Sequence, residues 1–117
     1  MKKKYRLRRN KEFQYAYRKG KSLGHPLLVL IYRKTRKPQI RIGFSVSRKF
    51  GKAVQRNRIK RQLREILRLQ LQQLEQGYDI VFVVRKEAGG ASYKELEKAV
   101  YNLLKRGKLY RQGDLVQ

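Results

Sequence analysis

Positive charge is segregated along this chain. Residues 1–61 carry 22 Lys and Arg against a single acid, Glu12, a net of +21; residues 62–117 carry 10 basic and 7 acidic residues, a net of +3. So charged a chain repels itself when it becomes compact, and it must close around a core that leaves the basic side chains outside. A charge that served only to keep the chain dispersed would be spread over both halves. The arrangement calls for a polyanion, and nucleic acid comes first, because phosphates release counterions when Lys and Arg replace them.

Composition bounds the rest. With 117 residues, 40% of them hydrophobic, the chain has material for one core and not for two. Residues 1–117 therefore read as a single domain, with a basic tip at about 1–9 and a loose tail at about 108–117. There is no cysteine, which removes disulfides, zinc fingers and thiol nucleophiles. No run approaches the roughly 18 apolar residues of a membrane span. The opening Met1-Lys2-Lys3-Lys4-Tyr5-Arg6 lacks the apolar stretch of a signal peptide. The expectation is a cytoplasmic protein with no membrane partner.

Asn10 reads as an N-cap and Gly20 as a stop, with Phe13, Ala16 and Tyr17 on one face of a short first helix. Leu27 to Tyr32 is an apolar, β-branched and aromatic run, a strand. A basic turn with Pro38 follows. Residues 40–47 then alternate: Ile42, Phe44 and Val46 face one side, and Arg41, Gly43, Ser45 and Ser47 the other. A long helix spans roughly 53–76, with Ile59, Leu63, Ile66, Leu67 and Leu74 as its apolar stripe and Gly77 as its end. Ile80 to Val84 is a strand buried on both faces. Ser92-Tyr93-Lys94-Glu95 is a capping box opening a last helix with a stripe of Leu96, Val100, Leu103 and Leu104. Helix, strands, helix, strand, helix gives an α/β sandwich built on one sheet.

Side chains for catalysis are missing. The one histidine, His25, stands beside Pro26 in a turn. Glu65, Glu75 and Asp79 are scattered, whereas metal-assisted hydrolysis needs two or more convergent carboxylates or histidines. No phosphate-cradling glycine loop is present. No catalytic residue, metal ligand or small-molecule substrate is expected of the chain.

Binding chemistry concentrates on the helix at 56–68. Lys60, Arg64 and Arg68 form one row, and Asn57 and Arg61 lie beside it. Arg56 and Arg58 stand near the N-terminal end, where the dipole already favours anions. Arg48, Lys49 and Lys52 extend the patch into the preceding loop. Arginine suits phosphate because its planar fork engages two oxygens. Asn57 either bonds an RNA group or braces the start of the helix. A second surface is the small-residue face of the alternating strand, where Ser45 and Ser47 offer hydroxyls. Beside a helix bearing Phe13 and Tyr17 it makes a trough for single-stranded RNA, with aromatic platforms for bases. Periodicity alone serves equally a reading of Phe13 and Tyr17 as core.

Arg41-x-Gly43-x-Ser45-Val46-Ser47-Arg48-Lys49-x-Gly51-x-Ala53-Val54-x-Arg56-Asn57-Arg58-x-Lys60-Arg61-x-x-Arg64 resembles the signature of the bacterial ribonuclease P protein component. The resemblance runs from Arg6 to about Tyr110. It implies an α+β fold, a two-layer α/β sandwich of order α-β-β-β-α-β-α, with an unusual left-handed βαβ crossover and a short extra strand near Lys21 to Gly24.

The resemblance also implies a function: the protein subunit of an endoribonuclease holoenzyme that removes the 5′ leader of precursor tRNA by magnesium-assisted hydrolysis. The catalytic RNA holds the Mg2+, and the isolated protein is inactive. Arg56, Asn57, Arg58, Lys60, Arg61 and Arg64 fall where the family contacts its RNA subunit, and Phe13 and Tyr17 fall in its leader cleft. A cleft position often aromatic in the family falls at Ile31, with Tyr32 pointing the other way; either stacking is lost there or the register is shifted by one. Arg48 stands where lysine is common. The competing reading is a structural or ribosomal RNA-binding protein. A membrane-surface role fits poorly, because the cationic helix has no Trp/Phe/Leu insertion face.

Overall fold

The computed structural model describes residues 1–111. Four strands form one sheet: β1 (Lys21–Gly24), β2 (Leu28–Lys34), β3 (Arg41–Ser45) and β4 (Tyr78–Val84), in the spatial order β1-β2-β4-β3. β1 and β2 pair antiparallel, as do β2 and β4, whereas β3 lies parallel to β4. Three helices complete the fold, α1 (Asn10–Lys19), α2 (Ala53–Gln70) and α3 (Tyr93–Arg106). The order α-β-β-β-α-β-α is the expected one, and β1 lies at the four residues where the family pattern puts it. Parallel neighbours cannot be joined by a tight turn, so α2 carries the chain from β3 to β4 as a βαβ unit.

Strand alternation assigns the two faces. Leu28 and Leu30 of β2, Ile42 of β3, and Ile80, Phe82 and Val84 of β4 pack on Ile59, Leu63, Ile66 and Leu67 of α2 and on the buried face of α3. Each fully buried side chain of this kind stabilises the fold by about 1.5–3 kcal/mol relative to exposure. On the opposite face of β4, Val81 and Val83 join Ile31, Leu7, Phe13 and Ala16 in a smaller cluster beneath α1. β4 is therefore covered on both sides. α1 covers only part of its face, closing over Arg41 and Gly43 of β3 and leaving the outer side of β3 open at Ser45.

Helix α3 begins as its capping box dictates: Ser92 Oγ accepts from the Glu95 N–H at 3.1 Å, and the Glu95 carboxylate accepts from the Ser92 N–H at 2.9 Å. At α1 the expectation fails in detail. Asn10 is the first helical residue, and the cap is the Glu12 carboxylate, which accepts from the Arg8 and Arg9 N–H groups at 3.3 and 3.1 Å.

The long helix also stops sooner than its apolar stripe suggests. α2 gives way at Gln70 to a single 3₁₀ turn, Leu71–Gln73, and Leu74 is extended. Leu74 is still core, held by an antiparallel bridge to Tyr110, and the Glu75 N–H donates to the Leu109 carbonyl at 2.7 Å. Gly77 does not end a helix. It takes a φ of +80° to turn the chain into β4, with its carbonyl accepting from the Thr35 N–H at 2.7 Å.

The described residues at both ends are tied into the fold. Leu7 is buried, and Arg6 bridges to Ile42 beside β3, so the basic tip is partly a fifth, minimal strand. Residues 108–111 are held rather than loose, because Leu109 and Tyr110 are buried and the Arg111 N–H reaches the Gln73 carbonyl at 2.8 Å. The remainder of the expected tail, 112–117, lies outside the described residues.

One ionic cluster links the layers. Arg41 of β3 makes a two-pronged bond to Asp79 of β4, Nε to Oδ1 at 3.0 Å and Nη2 to Oδ2 at 2.9 Å, and its Nη1 donates to Glu12 of α1. Asp79 is almost fully buried. Its bond is the chief reason the Arg41 guanidinium is held above its ordinary pKa. Burial would raise the Glu12 carboxyl, but the N–H groups of Arg9 and Arg8 and the Arg41 side chain outweigh it, and the group lies below its usual range.

Candidate nucleic-acid interface

The open side of β3 is the floor of a trough of about 550 Å³. α1 supplies one wall, with Asn10, Phe13, Gln14 and Tyr17. The extended N-terminal segment supplies Arg6 and Arg8, and α2 the opposite wall with Lys60 and Arg64. Arg6-Leu7-Arg8 alternates as a strand does, burying Leu7 and turning both arginines to the trough. Four cations and no carboxylate line it. Burial first, and then the neighbouring charges of Arg6 and Arg61, pull the Arg64 guanidinium below its ordinary pKa.

The aromatic pair is shared between roles. Phe13 is half-buried against the small cluster under α1 and rests on Gly43, while Tyr17 is 37% exposed with its ring centroid 6.5 Å from that of Phe13. Core packing and exposure to the trough are thus not alternatives for Phe13: the end of its ring packs over Gly43, and the residue also lines the trough.

Several expected positions fall elsewhere. Ser45 lines the trough, but Ser47 lies beyond the end of β3, exposed and outside it. Ile31 faces the α1 side as its register requires, but two strands away from β3 and half-buried beside Ala16 and Gly20. It is a packing residue. Tyr32 points to the opposite face, into the main core, so the register is not shifted. Arg6, Arg8, Asn10 and Gln14 line the trough beyond the expected positions, Asn10 being expected only as a helix cap; the alternation around Leu7 is the sequence signal for the two arginines.

The cationic positions of α2 divide by task. Lys60 and Arg64 form the trough wall, Asn57 and Arg61 the exposed crest, and Arg58 the far flank. Asn57 makes no side-chain hydrogen bond among the described residues. The brace at the helix start is Arg56 instead, whose Nη1 donates to the Gly51 carbonyl at 2.7 Å. Arg68 continues the row but is paired with Glu65 at 2.7 Å. Arg48, Lys49 and Lys52 are exposed ahead of α2, where Gln55 accepts from the Lys52 N–H at 2.8 Å and so caps the helix.

Among the described residues no group of three or more His, Cys, Asp or Glu side chains converges as a metal site would require. The Glu12 and Asp79 carboxylates, which meet at one guanidinium, are both occupied by Arg41. These residues do not fit a magnesium centre.

A single-sheet α+β domain with an acid-free cationic trough, aromatic platforms and a basic helix crest belongs to the class of RNA-binding domains. Comparison with known proteins narrows the class. A family model described as Ribonuclease P matches residues 1–108, and the chain belongs to the ribonuclease P protein family. It is 47% identical over 109 residues to the ribonuclease P protein component of Clostridium botulinum (strain Loch Maree / Type A3), covering 92% of this chain and 98% of that one. The structure of the Staphylococcus aureus RNase P protein superposes with a TM-score of 0.86 at 30% identity, covering 92% of this chain and 98% of that one. The RNase P protein from Thermotoga maritima gives a TM-score of 0.79 at 37% identity, covering 86% and 96%.

Proposed function

We propose that this chain is the protein subunit of ribonuclease P, gripping the catalytic RNA with the crest and far flank of α2 and the 5′ leader of precursor tRNA in the trough. Family membership supports the role in tRNA 5′ maturation. The observation that carries the division of labour is the trough itself: Arg6, Arg8, Lys60 and Arg64 surround Phe13 and Tyr17 with no acid among them. Such a surface holds a single strand by its phosphates and stacks its bases. It offers no general base, nucleophile or metal ligand set.

The protein's contribution is therefore binding energy and neutralised repulsion. Bringing a polyanionic substrate to a polyanionic RNA costs electrostatic energy that otherwise needs counterions. Cations lying between the two lower that cost and with it the Mg2+ concentration required. The hydrolytic Mg2+ belongs to the RNA in this reading. No helix among the described residues is long and apolar enough to cross a membrane, and we place the protein in the cytoplasm with its RNA.

Reconstitution with a bacterial ribonuclease P RNA tests the proposal. The chain alone should cleave nothing; with RNA it should restore precursor cleavage at low magnesium. Affinity should climb with each added leader nucleotide and then level off. Cleavage by the chain without RNA, or an affinity indifferent to leader length, would sink the assignment.

A further inference from the structure

We propose that a hollow on the flank of α2 away from the trough takes one unstacked nucleobase of the catalytic RNA. The inference rests on reading α2 as the RNA-facing helix, and it adds a base contact to a surface otherwise described by phosphate contacts. The hollow has about 250 Å³ and lies between α2 and the 3₁₀ segment Lys86–Gly90. Ile59 and Ala88, both buried, form its floor. Phe50, half-buried, is a wall, and Arg58, Gln55 and Gln62 project from the helix.

Its chemistry selects among ligands. An aromatic wall over an apolar floor suits the face of a flat ring. Gln62 makes no side-chain hydrogen bond among the described residues, and an amide carries both donors and an acceptor for the edge of a base. Arg58 is exposed, has no acid paired to it among the described residues, and lines the hollow, a free cation for the phosphate of the same nucleotide. A bare phosphate would need neither the ring nor the amide.

The two glycines on the rim point the same way. Gly89 and Gly90 do not have the left-handed backbone that would demand glycine. A Cβ on Gly89 would meet only Phe50, at an ordinary 3.8 Å, and one on Gly90 would meet nothing within 4 Å. The fold itself would accept side chains there. What their absence leaves open is the approach to Phe50 from outside.

The chain contains no tryptophan, so Phe50→Trp gives a single reporter in the hollow. Titration of the full-length variant with ribonuclease P RNA should quench its fluorescence in step with binding. Inorganic polyphosphate, which has no bases, should bind without quenching. Gly89→Leu, which fills the hollow and leaves every cation in place, should weaken RNA binding about 5- to 100-fold, the range for one lost stacked base. The salt slope should stay unchanged, whereas Arg58→Ala should make it shallower.

RNA binding without quenching, together with wild-type affinity for Gly89→Leu, overturns the proposal and leaves the subunit role intact. Quenching by precursor tRNA but not by the RNA subunit overturns the stated source of the base. If the wild-type chain fails to bind the RNA at all, the reading of α2 falls and the hollow falls with it.

Discussion

The end of the Phe13 ring lies directly over Gly43: a methyl group built on that glycine would sit 2.6 Å from Cζ and 2.7 Å from Cε1. A helix residue and a strand residue thirty positions apart are thus fitted to each other, and the missing side chain on β3 is what lets α1 settle at this height above the sheet. Gly43→Val should push the ring out of place, cost about 1–3 kcal/mol by overpacking and weaken leader binding roughly tenfold, on the scale of one stacking contact. Binding of leader-bearing and leaderless precursors to the holoenzyme, with a urea melt of the protein, separates the two effects. Unchanged leader affinity in a folded variant would remove Phe13 from the trough.

Arg41 ties three elements together, so its loss should be felt as fold stability first. Arg41→Met leaves the nearly buried Asp79 without its two-pronged partner and releases Glu12. Breaking a buried pair from one side typically costs about 3–5 kcal/mol. The double variant Arg41→Met with Asp79→Asn should recover part of that loss in denaturant melts, and no recovery would mean that the buried charge is not the cause.

Along α2 the variants should sort by partner. Arg58→Ala and Arg61→Ala, which free no acid within the described chain, should each lower the slope of log K against log salt for the RNA subunit by about one. Arg68→Ala should do less, because Glu65 already pairs with that guanidinium. Arg56→Ala should instead cost about 1–3 kcal/mol of stability through its charged bond to the Gly51 carbonyl. Equal slopes and equal stabilities across the four would contradict the division drawn from the structure.

His25 braces the turn between β1 and β2, its Nδ1 accepting from the Leu27 N–H at 3.1 Å. Burial and the nearby Arg106 hold its pKa below the ordinary value. The folded state thus binds that proton less readily than the unfolded chain, whose histidine titrates at about 6.5. The brace is fully present above that pH and is lost as pH falls through the lowered value. Melting temperature should decline between neutral pH and about pH 5, and His25→Asn, which keeps an acceptor but no titration, should flatten that part of the profile.

The local elements were written in short stretches of sequence. The 3.6-residue stripes of α2 and α3, the Ser92–Glu95 box and the alternation of β3 all use neighbours to define themselves, and each produces its element, although α2 ends at Gln70 and β3 at Ser45, earlier than the patterns run. The cationic row of α2 was equally legible, because a helix surface is a function of spacing alone.

Where contacts join distant segments, spacing is mute. Nothing near Asp79 announces that Arg41 and Glu12 will meet it, and the alternation around Leu7 marks an inward residue without showing that Arg6 and Arg8 will turn toward Lys60 and Arg64. Helix α2 ends at Gln70 because Leu74 is drawn into a bridge with Tyr110, against the continuity of its own pattern. The amino-acid order alone determined the charge, the elements and which face of each is apolar, since those follow from neighbours three, four or two residues away. Only tertiary packing decided the height of α1 above the sheet and hence the trough, because that depends on Phe13 finding Gly43 across a distance no periodicity records.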